Sequence, residues 1–202
     1  MTLIRHRHEA SAVAGAEPHI GLVETDIVTH ESARKGLAVL RILYGVTFLW
    51  AFFDKLLALG FHTGYDQEGN LDRFGAAAWI NGGSPTEGFL SFGVPADNPF
   101  HSTFTSMAGD TWVDWLFMLG LLGIGAALLS GVGMRIAAGA GALLYMLMWA
   151  AVLPLENNPV VDDHMIGAVV EIVLALTLAG DTWGAGRAWA RTRIVRRYPV
   201  LR

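Results

Sequence analysis

The sequence predicts an all-α membrane protein, a four-transmembrane-helix bundle with a long outside loop between the first and second helices. Three observations lead there. Of 202 residues, 53% are hydrophobic and only 16% are charged, against about a quarter charged in a soluble domain. The shortfall of charge is gathered into long apolar runs. Two of these, Trp115–Met134 and Ile136–Leu155, are free of charge over 20 residues each. At about 1.5 Å of rise per residue, that length matches a hydrocarbon core of about 30 Å.

Taken in order, residues 1–33 form a polar N-terminal arm without an apolar stretch of signal-peptide length, so no cleaved signal is expected. The first span covers about 34–59, with GLAVLRILYGVTFLWAFFDKLLAL as its body. The second covers 115–134, with Asp110 or Thr111 as a natural N-cap. The third covers 136–155, and the turn around Gly131–Arg135 makes the two a tight antiparallel hairpin. The fourth covers about 164–182, and residues 183–202 form a basic tail. Spans and connecting loop (60–111) make one membrane domain, 34–182.

Charge sets the orientation. Arg5, Arg7, Arg34 and Lys35 precede the first span, Arg135 lies in the hairpin, and Arg187, Arg191, Arg193, Arg196, Arg197 and Arg202 follow the fourth. On the other side stands Arg73, with Lys55 at the membrane edge. Basic residues favour the cytoplasmic side, so the expected location is the cell (inner or plasma) membrane with both termini cytoplasmic. The outer face is acidic, with Asp66, Glu68, Asp72, Glu87, Asp97, Asp110, Glu156, Asp162 and Asp163. Trp112 and Trp115 mark the outer interface, Trp183 and Trp189 the inner one. Within the outer loop, Leu71–Ile80 is expected to form a short interfacial helix that ends at the turn Gly82–Pro85. Gly123, Ala127 and Gly131, and likewise Ala137 and Gly141, recur at every fourth position, a spacing that lets helix backbones approach closely in lipid.

The residue that asks for an explanation is Glu171, a lone carboxylate in Met165–Gly180. Hydrocarbon cannot solvate an ionised carboxylate, so it must be paired, hydrated or protonated. At about 100° per residue, Glu171 shares a helix face with His164, and Arg41 shares one with Phe48, Phe52 and Lys55. Arg41 and Glu171 fall at similar depths from the cytoplasmic side, about 10 and 15 Å. They are therefore the expected buried pair, with Lys55 meeting His164, Asp162 or Asp163 nearer the outside. Such a pair can simply fix the register of two helices. It can also line a slot for a lipid-soluble quinone, with Arg41 donating to a ring oxygen, Glu171 relaying protons, and Phe48, Phe52 and Trp50 flanking the ring.

No cysteine is present, which removes iron–sulfur clusters and thiolate chemistry from this chain. No histidine lies deep in a span, so no haem is expected in the bilayer. His62, His101 and His164 lie on the outer side, but their spacing matches no ligand signature, and no metal site is assigned. His6 and His8 are read as solvated. The tail RAWARTRIVRR is expected to rest on anionic lipid headgroups, not on nucleic acid.

The segments LRILYGVTFLWAFFDKL, WINGGSPTEGFL, GVGMRIAAGAGALL and LENNPVVDDHMIGAVV resemble the DoxX/DoxD family of small membrane proteins over roughly residues 35–189, with Ser84–Leu90 resembling the DoxD-like branch. The family includes the membrane subunit of thiosulfate:quinone oxidoreductase. The resemblance implies a four-helix membrane bundle, a link to quinone and sulfur-compound redox chemistry, and a second, more soluble redox subunit. Its first-span arginine and lysine map to Arg41 and Lys55. The function expected on this basis is an integral membrane subunit of a quinone-linked oxidoreductase oxidising thiosulfate or a related small reductant. The alternative is a non-catalytic membrane anchor or assembly factor for a redox or respiratory complex, and a homo-oligomer is compatible with either.

Overall fold

The computed structural model describes residues 21–65 and 68–202. The expectations for Arg5, Arg7, His6, His8 and Asp66 lie outside the described residues. The helices are α1 (Glu24–Ile27), α2 (Glu31–Leu57), α3 (His101–Thr105), α4 (Thr111–Ser130), α5 (Met134–Ala151), α6 (Asp163–Leu176), α7 (Gly186–Ala190) and α8 (Arg193–Arg197). No strand occurs among the described residues, only an isolated bridge between Tyr65 and Leu71. Among the described residues three helices, α2, α4 and α5, are long and apolar enough to cross a membrane.

The helices start and stop for local reasons. α4 begins four residues earlier than hydropathy suggests, because Trp112 and Asp114 belong to its first turn. Asp110 does stand at its N-cap, but its carboxylate accepts from the Trp112 indole at 3.2 Å instead of from the backbone. α6 is capped by the Asp162 carboxylate on the Met165 N–H, 3.0 Å. It ends at Leu176, six residues short of the expected end of the fourth span. Leu178 takes a left-handed conformation (φ 55°), and the Ala179 N–H turns back to the Leu174 carbonyl. At 14 residues α6 rises about 21 Å, less than the hydrocarbon thickness.

α2 packs along α4, α5 packs along α6, and α4 and α5 make the hairpin. One arrangement recurs in both long pairs. Gly45 of α2 lies under Leu129 of α4, and Gly125 of α4 lies under Leu49 of α2. In the other pair Gly141 of α5 lies against Glu171 of α6, and Gly167 of α6 lies under the Tyr145 ring of α5. Each large side chain sits on the glycine of the facing antiparallel helix, and that glycine is four residues from the helix's own large side chain. Small residues at such points let backbones approach. Gly123, expected from its spacing to do this, meets nothing within 4 Å of where a Cβ would stand. The core between the pairs includes Phe48, Phe52, Met118, Leu128, Met134 and Leu174.

The end holding the α4–α5 turn is closed by backbone contact. Gly131 and Gly180 touch main chain to main chain, so that a Cβ on Gly131 would stand 2.6 Å from the Gly180 carbonyl oxygen. The C-terminal segment does not trail away. Trp189 Nε1 donates to the Leu201 carbonyl at 2.6 Å, Arg135 N–H to the Arg202 carbonyl at 2.9 Å, and Arg202 pairs with Asp181 at 3.0 Å. The basic tail therefore packs across this hairpin end, leaving Arg187, Arg191, Arg193, Arg196 and Arg197 exposed.

At the opposite, loop end, residues 71–80 form turns and not the expected interfacial helix. Gly75 N–H turns back to the Asp72 carbonyl and Ala78 N–H to the Gly75 carbonyl, while Phe74 N–H reaches the Leu57 and Ala58 carbonyls and the Phe74 and Gly75 carbonyls accept from Asn81 Nδ2. A short 3₁₀ turn, Trp79–Asn81, is all that winds. Gly82 (φ 92°) ends it, as the Gly-Gly-Ser-Pro turn suggests. Two buried aspartates tie this end down. Asp54 accepts the N–H groups of Phe61, His62 and Thr63 at 3.0–3.1 Å. Asp114 accepts the hydroxyls of Ser84 at 2.8 Å and Thr86 at 2.6 Å.

Candidate functional site

The seam between α5 and α6 brings the chemistry together. Glu171 is fully buried, and neither carboxylate oxygen has a hydrogen-bond partner among the described residues. Burying a carboxylate without a donor is costly, so a group in this state is either neutral or meets a donor supplied from outside the fold. A Cβ on Gly141 would stand 3.1 Å from its carboxyl carbon, which shows how closely α5 covers it. Tyr44 and Tyr145 both lie within electrostatic reach of it. The Tyr145 ring meets Phe48 edge-on at 5.5 Å, Tyr44 at 6.3 Å and the His164 ring at 6.3 Å. α2 and α6 do not approach backbone to backbone as the two long pairs do. Tyr44 and Phe48 of α2 instead meet the Tyr145 ring of α5.

His164 opens α6, two turns from Glu171 on the same face. Its Nδ1 meets Asp162 Oδ2 at 2.6 Å, so the imidazole is held by the cap of its own helix. Burial pulls the Asp162 carboxyl up, but the His164 hydrogen bond and the Met165 N–H outweigh it and hold it below the usual range. Asp162, His164, Tyr145 and Glu171 thus descend in sequence from the loop end into the bundle. Among the described residues only the Asp162–His164 step of that series is hydrogen-bonded, with the Tyr145 ring 6.3 Å from the imidazole and both Glu171 oxygens unpartnered.

Arg41 is not part of this constellation, and the expected Arg41–Glu171 pair does not form. The guanidinium is fully buried and donates to five carbonyls: Leu128, Leu129, Ala179, Thr182 and Trp183. Leu128 and Leu129 belong to the last turn of α4, where a helix leaves acceptors unmatched and favours a cation, and Ala179, Thr182 and Trp183 belong to the turn segment that follows α6. With α2 packed on α4, helix ends lie nearer to Arg41 than any carboxylate does. Lys55 likewise turns toward α4, with its ammonium 5.9 Å from the Phe117 ring, and does not reach His164 or its neighbours. Phe52 is buried in the core and stacks edge-on against Phe53 at 5.3 Å. Trp50 is 46% exposed and packs outward on Phe61. Of the expected residues, the structure brings together Glu171, Phe48 and His164.

Tyr145 and Tyr44 were not singled out from the sequence. A signal for Tyr145 is present, because Gly141–Tyr145 on α5 repeats the glycine-to-large spacing of Gly167–Glu171 on α6. Among the described residues no three His, Asp or Glu side chains gather as a metal-binding group. The arrangement suits proton exchange at a buried site bordered by aromatic rings. Comparison with protein-family models, curated proteins and solved structures finds no match to this chain.

Proposed function

We propose that this chain is the integral membrane subunit of a quinone-linked oxidoreductase, as the DoxX/DoxD resemblance implies, with its quinone site at Glu171, Tyr145, Tyr44 and Phe48. The observation that carries the reading is the buried Glu171 carboxyl with both oxygens unpartnered beside two tyrosines. Quinone, when bound, accepts two electrons and two protons to become quinol. The electrons come from a small reductant such as thiosulfate through a second subunit, since a chain with no cysteine has no thiolate chemistry to carry them. Tyr145 and Tyr44 would hold a ring oxygen by hydroxyl donation, Phe48 would pack beside the ring, and Glu171 would supply the protons one at a time. His164, held by Asp162 at the loop end, would be the nearest proton-exchanging group toward the surface on the same helix face. Arg41 fixes the helix ends around the site without touching it.

In this reading α6 and the turn that follows it complete a fourth crossing of the cell membrane. The hairpin end with its exposed arginines is cytoplasmic, and the acidic segment 58–110 is outside. A chain with no cysteine makes this simple to test. Ser102→Cys is expected to react with an impermeant maleimide from outside, and Arg196→Cys only after permeabilisation.

The site is tested by quinone content after gentle purification with any partner retained. Wild type is expected to carry about one quinone per chain, Glu171→Gln and Tyr145→Phe clearly less, each with an unchanged fold. Full quinone content in both variants would remove the site. A second reading, a non-catalytic anchor, is favoured by the apolar surface of the loop end, where Phe92 is 90%, Phe61 60% and Phe74 59% exposed. It expects a partner that co-purifies equally well with wild type and with Glu171→Gln, and no quinone in either.

A further inference from the structure

A groove runs between α5 and α6 at the hairpin end, about one turn beyond Glu171. Its volume is about 440 Å³, within the roughly 300–1,000 Å³ of small-ligand pockets. Its walls are apolar, with Ala138 and Gly139 from α5 and Ile172 and Leu176 from α6. Ile172 is 46% and Leu176 69% exposed, so the groove opens sideways, toward lipid if these helices cross a membrane. Arg135 and Arg202 stand among its lining residues.

The two arginines differ. Arg202 is buried, pairs with Asp181 at 3.0 Å and donates to the Leu22 carbonyl. Arg135 is exposed, donates from Nη1 to the Pro199 carbonyl at 3.1 Å, and has no carboxylate partner among the described residues. A guanidinium has five N–H donors in a fork that fits phosphate. Arg135 is the second residue of α5, at the helix end, where headgroups border the hydrocarbon. The exposed arginines of α7 and α8 keep this end basic.

We propose that the groove binds one anionic phospholipid, with an acyl chain along Gly139 and Leu176 and its phosphate on Arg135. A purely apolar ligand would leave the cation without a counter-charge. A free phosphate would leave the apolar walls in water. A lipid with a negative headgroup answers both, and basic pockets between helices recognise such headgroups. The proposal rests on membrane residence and is independent of the quinone site.

The test uses the full chain in detergent micelles doped with phosphatidylglycerol or with phosphatidylcholine of the same acyl chains, analysed by native mass spectrometry. Wild type is expected to retain one phosphatidylglycerol with about tenfold preference over phosphatidylcholine. Arg135→Gln should bring the preference close to one. Gly139→Leu should remove retention of both lipids, and it has room to fold because a Cβ there meets nothing within 4 Å. Retention of phosphatidylglycerol at the wild-type level in both variants would mean annular lipid only and would overturn the proposal. Displacement of the lipid by inorganic phosphate would overturn it too. Flotation of each protein with vesicles separates these results from a failure of membrane residence itself.

Discussion

Placing a single methyl group at Gly167 tests the central packing of the site. A Cβ there would stand 2.8, 2.9 and 3.0 Å from three carbons of the Tyr145 ring, where ordinary contact is 3.4–4 Å. The ring cannot slide away freely, because Phe48, Tyr44 and His164 stand around it. The helices must part or the ring must leave its position, and overpacking of this kind costs about 1–3 kcal/mol. Alanine also gains up to about 1 kcal/mol over glycine in a helix, which would blur a single measurement. Gly139→Ala on α5 supplies the control, since its Cβ meets nothing. Both variants carry the same gain in helix propensity, so their difference isolates the clash at about 1–3 kcal/mol. The assay is equilibrium unfolding in mixed micelles at increasing SDS fraction. Gly167→Ala should be the less stable of the two by that amount, and Tyr145→Leu in the same chain should restore most of the loss. Equal stabilities within about 0.5 kcal/mol, the usual scatter of neutral substitutions, would refute the packing of Tyr145 on Gly167.

Three further outcomes are expected. Arg41→Lys offers three donors for five carbonyls; leaving two buried acceptors unanswered at about 1–3 kcal/mol each should destabilise the bundle by about 2–6 kcal/mol, while the folded fraction keeps any quinone bound at the proposed site. Loss of quinone with unchanged stability would contradict the structural role of Arg41. Asp114→Ala orphans the buried Thr86 hydroxyl and should cost about 1–3 kcal/mol, with faster proteolysis within residues 84–94; unchanged cleavage there would count against the tether. Glu24 is buried at the hairpin end, and burial, opposed by the Thr182 hydroxyl and reinforced by Asp181, holds its carboxyl above the ordinary 4.5. Because the raised value favours the protonated folded form, its stabilising effect is full below about 4.5 and is lost as pH rises through the folded value. Melting curves of wild type relative to Glu24→Gln should therefore fall as pH rises through that window, and parallel curves would contradict the assignment.

Hydropathy made the long helices legible because α2, α4 and α5 are apolar almost all round and leave large apolar side chains exposed along their length. The starts of α2, α4 and α5 fall within four residues of their expected positions. The end of α6 was not legible. It is set by Leu178 turning left-handed and by Gly180 meeting the Gly131 backbone, a contact between segments about 50 residues apart. Helix periodicity placed Arg41 and Glu171 on faces and at depths, but it does not say which helix each face meets. α2 packs on α4 and α6 on α5, so Arg41 found helix-end carbonyls and Glu171 found a glycine. Spacing of small residues alone misassigned Gly123. A glycine followed four residues later by a large side chain occurs at all four contact points, Gly45–Leu49, Gly125–Leu129, Gly141–Tyr145 and Gly167–Glu171, but also at Gly120–Ile124 and Gly139–Leu143, where a Cβ would meet nothing within 4 Å. At two of the four contact points the large residue is leucine, and at the other two it is polar and belongs to the proposed site.

The most direct measurement of the proposed site is photo-crosslinking with a ring-azido quinone in membranes, followed by peptide mapping. The account expects label on the α5 peptide around Tyr145 and the α6 peptide around Glu171, competed by unlabelled quinone and reduced in Glu171→Gln. Label confined to the outward face of α4, or spread evenly over every lipid-facing helix and unaffected by Glu171→Gln, would contradict it.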